Sequence, residues 1–78
     1  MMYNLVIHGK KTGKLRTAVI SSNGKSVIEH AVQEGSEIFA FHARDGDCLQ
    51  PMIINMNNID RLEIKDKDGN VVFQHNSV

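Results

Sequence analysis

The sequence predicts a mainly β protein: a small bent sheet or open barrel of five to six short, mostly antiparallel strands with at most one short helix. Three observations predict it. Short aliphatic, partly β-branched stretches run with period two through most of the chain. Gly9, Gly13, Gly24, Gly35, Gly46 and Gly69 punctuate those stretches at strand-like intervals. Only residues 26–34 depart from period two, and the class becomes α+β if they are helical.

Tyr3–His8 reads as the first strand. Residues 9–13, Gly-Lys-Lys-Thr-Gly, form a turn, and Lys14–Ser21 reads as the second strand. Leu15, Thr17 and Val19 then share one face, with Arg16, Ala18 and Ile20 on the other. In residues 26–34, Ser26 followed by Glu29 fits a capping box, and Gly35 can close the helix behind Val27, Ile28, Ala31 and Val32. The rival uses Asn23-Gly24 as a hairpin turn pairing residues 14–22 with 25–32. Alternation fails there, so a short helix is the expectation.

Glu37–Ala43, with Ile38-Phe39-Ala40-Phe41, reads as a core strand, and Asp45-Gly46-Asp47 as a turn. Cys48–Met56 is the next strand. Pro51 lies inside it and lacks a ladder donor, which predicts an edge or a bulge. Asn57-Asn58 turns the chain into Ile59–Lys65. A second turn over residues 66–70 leads to Val71–Gln74, and His75–Val78 is expected to fray.

The chain is 78 residues long, enough for one domain, 1–78, that buries roughly 60–65% of its unfolded surface. Tyr3, Phe39, Phe41 and Phe73 are its only aromatics, so the core must be aliphatic. A core that small makes self-association a natural route to further burial. One cysteine, Cys48, precludes an internal disulfide and favours a reducing, cytoplasmic setting. No apolar run approaches the ~20 residues of a membrane span, and no signal-peptide pattern opens the sequence.

Net charge is zero but unevenly spread. Residues 1–25 carry Lys10, Lys11, Lys14, Arg16 and Lys25 with no acid, whereas residues 26–50 carry five acids against Arg44. The balance argues against a strongly basic nucleic-acid binder, yet leaves a basic N-terminal hairpin. Lys10, Lys11, Lys14 and Arg16 are therefore candidates for binding phosphate or an acidic partner. The bland alternative is that these cations keep a hairpin soluble and unpaired.

Other motifs fail on spacing. Gly24-Lys25-Ser26 resembles the end of a phosphate-binding loop, but Val19 stands where its first glycine belongs. Asp66-Lys67-Asp68-Gly69 resembles part of a calcium loop, but Ile64 and His75 fall at its first and last ligand positions. His42, Arg44, Asp45, Asp47 and Cys48 cluster around one turn and form a secondary candidate site. A turn centred on residues 45–47 sets His42 opposite Cys48 as a thiolate–imidazole pair. No metal-ligand spacing appears, and no cofactor is implied.

The resulting expectation is a non-enzyme: a binding or regulatory module acting as a homo-oligomer, with a further protein partner possible. Basic residues 10–16 of one subunit would meet acidic residues 29–37 or 45–47 of another. Two alternatives stand beside it: a nucleic-acid-binding small β-barrel using the basic hairpin, and a small enzyme subunit using Cys48 and His42.

Overall fold

The structure is a computed structural model that describes residues 1–11 and 13–76. Its elements are β1 (Met2–Gly9), β2 (Leu15–Ser21), α1 (Ser22–Gln33), β3 (Ile38–Asp45) and β4 (Cys48–Asn55), then a 3-10 turn (Met56–Asn58), β5 (Ile59–Lys65) and β6 (Val71–Asn76). The six strands form one bent antiparallel sheet in the order β4-β3-β2-β1-β5-β6. β4 and β6 do not meet, so the sheet stays open. As Pro51 required, the strand that contains it is an edge.

Alternation gives the sheet two different faces. Leu5 lies opposite Ala18 on β2 and Ile64 on β5, while Ile7 lies opposite Leu62. Phe41 is opposite Met52, and Phe39 opposite Ile54. These residues line the inner, concave face. With Ile20, Ala43, Ile59 and the helical Ile28 they make the core. Leu5, Ile20, Ile28, Leu62 and Ile64 are fully enclosed, so the interior is aliphatic as the composition demanded.

The helix lies across this inner face and contacts β1, β2 and β3. It begins five residues earlier than the capping-box reading placed it. Ser21, the last residue of β2, is the N-cap, and its Oγ accepts a hydrogen bond from the Gly24 N–H at 3.2 Å. Asn23-Gly24 thus lies in the first helical turn and makes no hairpin. Ser26 and Glu29 sit inside the helix, where Glu29 pairs with Lys25 at 2.7 Å. Gly24, Ile28 and Ala31 form the buried stripe. A Cβ at Gly24 would lie 3.2 Å from the Ile20 Cβ and 3.5 Å from the His42 carbonyl oxygen, so glycine lets the helix start press onto the sheet.

The helix ends as the sequence indicated. Gly35 takes a φ of +74°, its N–H donates to the Val32 carbonyl, and the Ser36 N–H donates to the Ala31 carbonyl. That is a Schellman motif. The last strand runs further than expected: His75 and Asn76 belong to β6, opposite Leu62 and Arg61. The remainder of the segment expected to fray, residues 77–78, lies outside the described residues.

Candidate functional site

The basic hairpin is present. The Gly9 N–H donates to the Lys14 carbonyl across the β1–β2 turn, and the Lys10 N–H donates to the Asn58 carbonyl. Lys10, Lys11, Lys14 and Arg16 are all exposed. Arg16, opposite Ile7, projects on the inner side of the sheet. Tyr3, the aromatic nearest in sequence, lies at the far end of β1 opposite Ile20, where its ring carries the Lys25 ammonium 5.5 Å from its centroid. Base stacking beside the turn lysines has no platform from Tyr3.

The second cluster does not assemble as its spacing suggested. β3 and β4 turn through Gly46 and Asp47, which sets Cys48 opposite Asp45 and His42 opposite Pro51. His42 and Cys48 therefore project from opposite faces of the hairpin. The expected thiolate–imidazole pair is not formed. Cys48 is an exposed free thiol. The Arg44 Nε donates to the Gly46 carbonyl at 3.3 Å, and the Gln50 amide donates to Asp45 at 3.1 Å, so the polar groups at the tip are occupied with each other. Among the described residues, no three His, Cys, Asp or Glu side chains gather to hold a metal ion.

What the hairpin does present is an apolar face. Ile38, Ala40, His42 and Arg44 of β3 and Leu49, Pro51, Ile53 and Asn55 of β4 point away from the core, paired 38–55, 40–53, 42–51 and 44–49. Ile38, Leu49 and Ile53 are 62%, 65% and 67% exposed. Beside them runs an open groove of about 270 Å³. One wall is the helix start with Asn23, Gly24 and Val27, and the other is Ala40, His42 and Leu49. The groove exists because β2 and β3 share only one registered pair, Val19 with Arg44, and the helix fills the gap they leave.

One charged cluster was invisible in the sequence. Glu63, on the outer face of β5, is the only buried charged residue among those described. Its carboxylate meets His8 Nε2 at 3.2 Å and Arg61 Nη2 at 3.3 Å. His8 and Arg61 are themselves cross-strand neighbours. Both carboxylate oxygens are engaged by neighbours on the paired strands, which makes this a strand-pairing device. The register that joins positions 8, 61 and 63 is a long-range pairing that no local motif encodes.

No protein-family model matches the chain, and neither a curated protein nor a solved structure matches it. No helix among the described residues is long and apolar enough to cross a membrane.

Proposed function

We propose that the protein is a non-catalytic binding or regulatory module that works as a homo-oligomer. The observation that carries this reading is the exposure of Ile38, Leu49 and Ile53 together on one face of the β3–β4 hairpin. Single exposed aliphatics are ordinary, but several on one face of adjacent strands form a patch of the kind that marks interaction sites. Charge supports the same reading. The exposed cations at positions 10–16 and the acids at 29–37 and 45–47 set register between subunits, each exposed pair contributing about 0–1 kcal/mol. The exposed thiol of Cys48 suits a reducing, cytoplasmic setting.

Sedimentation velocity at low and high salt tests the proposal. An oligomer that persists at high salt is expected, because apolar burial supplies most of the affinity. A monomer at high micromolar concentration in both buffers would remove the reading. The runner-up, phosphate-backbone binding by Lys10, Lys11, Lys14 and Arg16, rests on their common exposure around one end of the sheet. Retention of a single-stranded oligonucleotide at low salt, lost on Lys10→Glu with Lys11→Glu, would put that reading first.

A further inference from the structure

We infer that a second copy of the chain docks face to face on the outer surface of the β3–β4 hairpin, with Ile53 of each copy seated in the other copy's groove between its helix start and β3. This rests on the homo-oligomer reading and deepens it by naming the surface. The argument begins with self-complementarity. A two-fold interface requires one patch to hold both a projection and the hollow that receives it. Here Ile53 projects at 67% exposure, and its cross-strand neighbour Ala40 is a wall of the groove. The other apolar walls are Val27 and Leu49. At about 270 Å³ the open groove has room for an inserted aliphatic side chain.

Size and charge agree with a second copy. The paired strands are eight residues each, about 27 Å long at an antiparallel rise. With the flanking helix start they offer a surface of the order of the roughly 800 Å² per partner seen in standard interfaces. Arg44 is the one formally charged side chain among the outward positions of the two strands, and it sits at the tip with its Nε already on the Gly46 carbonyl. Face-to-face docking therefore desolvates little charge. Edge-to-edge pairing through β4 is disfavoured, because Pro51 removes a ladder donor from the middle of that strand.

The test is sedimentation velocity on the wild type and three variants, each checked for folding by circular dichroism. Ile53→Lys removes the projection, Ala40→Arg fills the groove, and Val72→Lys charges an exposed position on the far edge strand β6. The wild type is expected as a dimer. Ile53→Lys and Ala40→Arg are each expected to weaken association by about 100-fold or more, since each change occurs twice per dimer. Val72→Lys is expected to dimerise as the wild type does. If Ile53→Lys and Ala40→Arg fold and still dimerise, the face is wrong while the oligomer reading stands. If Val72→Lys alone dissociates the protein, association runs through β6 and the face is likewise wrong. A wild-type monomer at high micromolar concentration in both salts ends both.

Discussion

Replacing Gly24 by alanine sets two opposing effects against each other, and the structure decides between them. Helix propensity alone favours alanine, by at most about 1 kcal/mol. The new Cβ, however, would lie 3.2 Å from the Ile20 Cβ and 3.5 Å from the His42 carbonyl oxygen. Neither neighbour is the free end of a flexible chain. Ile20 is fully buried and held in β2 opposite Tyr3, and the His42 oxygen belongs to the β3 backbone. Relief requires lifting the helix start by a few tenths of an ångström, which loosens the packing of Ile28 against the sheet. Overpacking of this kind costs about 1–3 kcal/mol. The expected net effect is destabilisation by about 1 kcal/mol. In a chain of this size, with a urea slope of about 1 kcal/mol per molar, the midpoint falls by about 1 M. The melting temperature falls by about 4–8 °C. Ser26→Ala, at an exposed position of the same helix, is the control and is expected to stabilise by a few tenths of a kcal/mol. Equilibrium urea unfolding of both variants reads the comparison. A Gly24→Ala protein more stable than the wild type would refute the close-approach argument.

Two further outcomes follow from the turns. The Asp66 carboxylate is held below its ordinary value of 3.8, chiefly by the backbone N–H of Asn70; desolvation, the next largest effect, opposes this, and the Asp68 amide, the Asn70 side chain and the Gly69 amide add to the lowering. Its folded pKa is depressed, so its contribution is fully present above the unfolded value and disappears as pH falls through the lower folded one. Urea unfolding from neutral pH into the acid range is expected to show part of the acid destabilisation missing in Asp66→Asn; an unchanged acid limb would contradict the assignment. Cys48, remote from His42, is expected to react with iodoacetamide in the folded protein no faster than free cysteine does at neutral pH. A markedly faster reaction would restore the thiolate–imidazole pair.

Most of the strands were legible because period two and glycine turns are local signals. Ile59–Lys65 coincides with β5, and Cys48 opens β4 as read. The helix start was hidden because three serines, at 21, 22 and 26, compete for the N-cap. Glu29 favours the last of them, and only the tertiary approach of Gly24 to Ile20 selects the first. The His42–Cys48 reading failed on the register of one turn. A register that pairs His42 with Cys48 and the one that pairs Asp45 with Cys48 differ by three residues, and an odd shift exchanges faces. The apolar face was masked differently: Ile38 and Ala40 read as core because they run in one unbroken apolar stretch with Phe39 and Phe41. Which face of a hairpin stays uncovered depends on where the helix lies, and no strand encodes that by itself.

The single registered pair joining β2 to β3 divides the backbone hydrogen bonding into two ladders, a hairpin of β3 and β4 and a four-stranded ribbon of β2, β1, β5 and β6. Little main-chain bonding spans that line, so cohesion across it falls to the shared apolar core and to α1, which contacts β1 and β2 on one part and β3 on the other and so acts as a buckle. The buckle is hydrophobic, and its grip therefore weakens on cooling. Cold should thus part the molecule first along this line, separating the β3–β4 hairpin from the four-stranded ribbon.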